Sequence, residues 1–119
     1  CEFQICKGAI SERPLKINDG GYAGFGNYTS QDDEGNIELF KISDFNINFN
    51  VLVVDCEGAF ETFYKENKDF FKNLRAILYE KDRPEVCDYD YLEKEFISMG
   101  FKNVSDPRSS HYCMLRELK

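Results

Sequence analysis

Residues 49–80, FNVLVVDCEGAFETFYKENKDFFKNLRAILYE, decide the fold. Val51-Leu52-Val53-Val54 is an unbroken run of β-branched residues and Leu without alternation, which is how a strand buried on both faces of a parallel sheet reads. Glu57 to Asn73 then sets Phe60, Phe63, Tyr64 and Phe71, with Leu74 just beyond, on one face. Glu61, Lys65, Lys68 and Lys72 fall mostly on the other, the pattern of one amphipathic helix. Arg75 to Glu80 returns to a strand, and Pro84 bars its simple continuation. Strand, helix and strand in this order predict a right-handed β-α-β unit with parallel strands.

Working outward, a second helix starts near Asp88 or Asp90, turns Leu92, Phe96 and Met99 inward, and stops at Gly100. Phe101 to Val104 and His111 to Leu118, separated by the turn-prone residues 105–110, predict a terminal antiparallel hairpin. The order from residue 49 is therefore β-α-β-α-β-β, an α/β fold. Upstream the signals are weaker. Phe3 to Ile10 starts with an alternation that fits a strand, Leu15 to Ile17 reads as a short strand, and Ile37 to Ile42 alternates again. Ser43-Asp44 caps a helical turn running through Phe45. Residues 19–36 hold the glycine-rich DGGYAGFG and an acidic cluster, and read as a long mobile loop. Residues 1–48 are thus a strand and loop lead-in to an α/β portion at 49–119, within one domain.

The 119 residues suffice for a single core. Hydrophobic residues at 42% and aromatics at 15% set the chain apart from disordered sequences. A net charge of −7 argues against nucleic acid or an anionic membrane as partner, because counterion release needs a basic surface. The strongest apolar run, Val51 to Val54, is far too short to span a bilayer, and the expectation is a soluble, cytoplasmic protein with no membrane partner. Five cysteines with no C-x-x-C pair and one histidine give no zinc pattern, so the cysteines read as reduced thiols and no metal ligands are assigned among them. The chain opens at Cys1, not Met, which reads as a piece of something longer.

Ligands of open α/β sheets gather beyond the carboxyl ends of the parallel strands. Asp55 ends the first strand and Glu80 the second, so neighbouring strands put both acids on one rim. Glu57 and Gly58 follow at once, and the glycine permits a tight turn in which backbone amides approach a ligand. The competing reading is that such acids cap helices or face water. His111 is either a proton carrier or a surface residue. The DGGYAGFG stretch neither follows a strong strand nor opens a helix, so a flexible loop describes it better than a phosphate cradle.

Residues 51–84, VLVVDCEGAFETFYKENKDFFKNLRAILYEKDRP, resemble the C-terminal half of the FkbM-type methyltransferase family, with its hydrophobic strand, Asp-x-Glu-Gly-Ala, helix, and strand ending in Glu. The likeness extends forward through DYDYLEKEFISMGF and backward to GAIS and IELFKISDF, covering roughly residues 3–118. It implies the C-terminal half of a Rossmann-like seven-stranded methyltransferase sheet, with the N-terminal cofactor-binding half missing. It further implies an S-adenosylmethionine-dependent O-methyltransferase acting on a hydroxyl of a sugar or natural product. The family's first half would precede Cys1, so its adenosyl-binding residues have no counterpart here, and the 119 residues alone are expected to be inactive. Cys56 stands where the family often has Val. Asp55 and Glu57 map onto the motif and Glu80 onto the strand-end acid. The catalytic expectation rests on Asp55 and Glu80, and the substrate-binding one on Glu57, Gly58 and His111, with a small-molecule or glycan hydroxyl as acceptor. Asp55 is read as holding that acceptor hydroxyl or a metal that holds it. The alternative is a non-catalytic α/β binding or interaction module, a degenerate or truncated remnant.

Overall fold

The structure is a computed structural model that describes residues 3–20 and 27–117. It divides into two compact units, Cys1–Asn46 and Ile47–Lys119.

In the second unit, β5 (Val51–Val54), β6 (Ala76–Glu80), β7 (Lys102–Asn103) and β8 (His111–Leu115) form a four-stranded mixed sheet in the order β5-β6-β8-β7. β5 and β6 are parallel, with Val51 opposite Ala76 and Val54 opposite Tyr79. β8 runs antiparallel to both of its neighbours, β6 and β7. The helices are α1 (Phe60–Glu66), α2 (Lys68–Phe71) and α3 (Tyr89–Ser98). The expected order β-α-β-α-β-β holds if α1 and α2 count as one crossover.

That crossover is not one helix from Glu57 to Asn73. Glu57 (φ 48°) and Gly58 (φ 89°) lie in the left-handed region, so helical backbone starts only at Phe60. Asn67 breaks the rest. Its side-chain amide donates to the Phe63 carbonyl at 2.9 Å, a local bond that competes with the helix, and its backbone (φ −130°, ψ 33°) leaves the helical region. α3 begins where the capping signal points, with the Asp88 carboxylate accepting from the Tyr91 N–H at 2.9 Å. Gly100 (φ 90°) ends it.

All three helices cover one side of the sheet. Phe60, Tyr64, Phe71, Leu92 and Phe96 pack there on Ile77, Tyr79 and Met114. Phe96 stacks on Phe71 at 5.6 Å between centroids and meets Phe60 at 5.8 Å, so phenylalanines far apart in the sequence gather into a single aromatic core. The other side carries Val51, Val53, Leu78 and Leu115, all exposed, with Val53 at 72%. The expectation that β5 is buried on both faces therefore fails. β5 is an edge strand with helices over one face only, and an unbroken apolar run does not distinguish that from a sandwiched strand.

In the first unit, β1 (Ala9–Ile10) pairs in parallel with β4 (Leu39–Phe40). β2 (Leu15–Asn18) pairs antiparallel with β3 (Tyr28–Gln31). Both strands expected at 3–10 and 37–42 shrink to two residues. The loop expected over 19–36 contains β3, where Tyr28 and Thr29 favour a strand and Ser30 Oγ accepts from the Asn18 side chain at 2.8 Å. Residues 21–26, the heart of the glycine-rich stretch, lie outside the described residues. A 3-10 turn at Ile42–Asp44 takes the place of the expected cap, with the Asp44 carboxylate accepting from the Lys41 N–H at 2.8 Å.

Candidate functional site

The carboxyl ends of β5 and β6 lie side by side because the two strands are parallel neighbours in register. Asp55 and Glu80 are the next residues after the paired Val54 and Tyr79, so they share one rim. Glu80 is also paired across the next strand with His111, at 3.7 Å between Oε2 and Nε2. Ser110 Oγ lies 3.3 Å from His111 Nδ1. His111 is largely exposed, and Glu80 half-buried.

The tighter group on the rim is Asp55, Glu57 and Asp82, whose carboxylate oxygens all lie within 4.8 Å of one another. Glu80 stands outside this group. At such a separation each ionised pair repels by about 1 kcal/mol in water and by more where solvent is partly excluded. Partial burial, then the charges of Asp82 and Asp55, raise the Glu57 carboxyl above its usual range. Glu57 also carries a left-handed backbone, which costs a side-chain-bearing residue about 1–2 kcal/mol. Two unfavourable features thus coincide at one residue.

Asp82 is the member that sequence reasoning missed. It sits in the irregular Lys81–Arg83 segment, where no periodicity marks it. The available signal was its place two residues beyond the strand-end Glu80, on the same rim. It is held in place by Tyr89, buried at the start of α3, whose phenol donates to Asp82 Oδ1. Burial, and then that hydrogen bond, keep the Tyr89 proton on by raising its pKa. The Tyr89 oxygen in turn accepts from the Arg83 N–H at 3.4 Å.

Gly58 makes the tight turn, and the chain itself fills the space beside it. A Cβ there would lie 2.5 Å from Val86 Cγ2 and 2.9 Å from Arg83 Cβ. The glycine lets the 83–86 segment close over the turn. Behind the turn, burial first and the nearby Asp82 second push the Cys56 thiol up to about 12, so Cys56 stays a thiol at neutral pH. Past this segment a cleft of about 470 Å³ opens, with Glu61, Glu85, Asp88 and Asp90 among its lining and Lys81 at its wall. Lys81 is engaged already, 3.5 Å from Glu93 and 4.0 Å from the Tyr112 ring centre.

No family model, curated protein or solved structure matches the chain. Among the described residues, no helix is long and apolar enough to cross a membrane.

Proposed function

We propose that this chain supplies the acceptor side of an S-adenosylmethionine-dependent O-methyltransferase, holding the hydroxyl of a sugar or natural product at the rim of β5 and β6. The observation that carries this reading is the convergence of Asp55, Glu57 and Asp82 within 4.8 Å at the carboxyl end of parallel strands. Clustered carboxylates accept strongly from hydroxyl groups, and a hydroxyl donor among them relieves their mutual repulsion. A carboxylate so placed orients the acceptor oxygen and takes its proton as the oxygen becomes a nucleophile. Asp55, at the strand end, has that role; Glu57 and Asp82 hold neighbouring hydroxyls, and Glu80 with His111 borders the same rim. The strain at Glu57 fits a residue kept for binding, not for stability.

The methyl donor has no fitting cradle among the described residues. The resemblance puts the donor's loop upstream of Cys1, and the Gly58 turn, read from the sequence as a substrate contact, has Val86 and Arg83 packed against it.

Saturation-transfer NMR against a panel of methyl glycosides tests the reading. At least one should bind saturably, and Asp55→Asn or Asp82→Asn should weaken it about tenfold, or about 1.4 kcal/mol. Calorimetric titration with S-adenosylmethionine should be flat. Glycoside binding that ignores both substitutions would return Asp55 and Asp82 to a structural role.

A further inference from the structure

Residues 105–111, Ser-Asp-Pro-Arg-Ser-Ser-His, turn the chain into β8 and fix the backbone on either side of Ser110. The Asp106 carboxylate accepts from the Arg108 N–H at 2.9 Å, and the Asp106 carbonyl from the Ser109 N–H at 3.0 Å. Ser109 Oγ accepts from the His111 N–H at 3.0 Å, and the Ser110 carbonyl from the Lys81 N–H at 3.0 Å. This frame sets a hydroxyl, an imidazole and a carboxylate in a row. Ser110 Oγ lies 3.3 Å from His111 Nδ1, and His111 Nε2 lies 3.7 Å from Glu80 Oε2, across the pairing of β8 with β6. The tautomer with its proton on Nε2 accepts from Ser110 at Nδ1 and points its N–H at Glu80, so one form of the ring serves both neighbours. Among the described residues the Ser110 N–H donates to no protein acceptor. Ser110 and His111 are both exposed, which leaves them open to a ligand.

We propose that Ser110 is a nucleophile toward small uncharged activated acyl groups, aryl esters or thioesters, with His111 as its base and Glu80 as the positioning residue of the imidazole. A hydroxyl is a weak nucleophile alone, and an adjacent base that a third group orients is what activates it. Ser110 Oγ attacks the carbonyl carbon as its proton passes to His111 Nδ1. The carbonyl oxygen takes up the negative charge within reach of the free Ser110 N–H. The bond from the carbonyl carbon to the leaving oxygen or sulfur then breaks, and His111 returns the proton to the leaving group. Water, giving its proton to the same nitrogen, releases the carboxylic acid and restores Ser110. The Glu80 carboxylate and the net charge of −7 disfavour anionic donors, which is why the acyl donor is uncharged. This inference does not rest on the methyl-transfer reading.

Hydrolysis of p-nitrophenyl acetate tests it, together with tandem mass spectrometry of protein quenched in acid. An acetyl group should appear on Ser110. Ser110→Ala should lower p-nitrophenol release about tenfold or more while leaving the thermal midpoint and methyl glycoside binding unchanged, and His111→Gln should lower release as far. Glu80→Leu should slow acetylation about fivefold, and Glu80→Gln, which keeps an acceptor oxygen at the same reach, should recover most of that rate. Equal release from the wild type and a folded Ser110→Ala variant overturns the proposal. Acetylation as slow in Glu80→Gln as in Glu80→Leu overturns the part given to Glu80.

Discussion

Glu57 concentrates the tension of the site in one residue. Its carboxyl is raised in the folded state, so the fold favours its protonated form. The stability associated with it is present below the ordinary glutamate value of 4.5 and is lost as pH rises through the higher folded value. Glu57→Asn removes the charge and places a residue more tolerant of the left-handed region at φ 48°. The variant should unfold later than the wild type at neutral pH, by about 1 kcal/mol. Its advantage should narrow when both are measured below 4.5, where Glu57 is protonated. An unchanged denaturation midpoint at neutral pH would show that neither the charge nor the backbone angle is under strain. Asp55, Glu57 and Glu80 were legible in the sequence because strand ends and a glycine turn announce them. Asp82 was not, since a loop residue joins a site through the path of the chain and no pattern records that path.

Among the elements, β8 is tied to the helices by Arg116, just beyond its end. One nitrogen of the guanidinium donates to the Met99 carbonyl at 3.0 Å, and the other to the Lys72 and Leu74 carbonyls at 2.6 Å each. The group lies 4.5 Å from the centre of the Phe101 ring. These carbonyls end α3 and the crossover before β6, so one cation closes two sets of exposed acceptors. Arg116→Met keeps the apolar stem and removes every donor. It should cost about 2–3 kcal/mol by urea unfolding, a large part of the roughly 5 kcal/mol expected of so small a unit. A loss within experimental error would mean that water replaces the guanidinium freely. Nothing in the Phe101–Lys119 sequence singles out Arg116, because its partners are carbonyls, which every residue has. The helix break at Asn67 was hidden differently, since the apolar pattern runs across it without interruption. By contrast Asp88, Gly100 and the helical spacing of Leu92 and Phe96 carry α3 on the surface of the sequence.

For the whole molecule, the distribution of burial separates the two units. Among the described residues, twelve buried ones form the core of the second, whereas Leu15 and Ser11 are the buried ones of the first. A polypeptide of residues 47–119 should therefore fold alone, with a cooperative thermal transition and near-native circular dichroism. A broad, non-cooperative melt of that fragment would show that residues 1–46 are needed for the second unit to form. Slow amide exchange should concentrate in β6, which is paired on both sides, and in α3. The sequence reads as one domain in which the signal sharpens at Phe49, and no feature of it marks two units. The hairpin of β2 and β3 was not legible either, since its strands are short and polar and draw their order from each other.

The place of β8 has a consequence for how the protein is made. The last strand of the described chain is slotted between β6 and β7. While a ribosome is still translating this region, β5 and β6 can join and α1 to α3 can begin to settle over them. One flank of β6 nevertheless stays open, and β7, set against α3, has no strand partner, until Leu115 has cleared the exit tunnel. The nascent unit therefore spends most of its synthesis with a half-seamed sheet, and the step that seals it waits for the last strand to emerge.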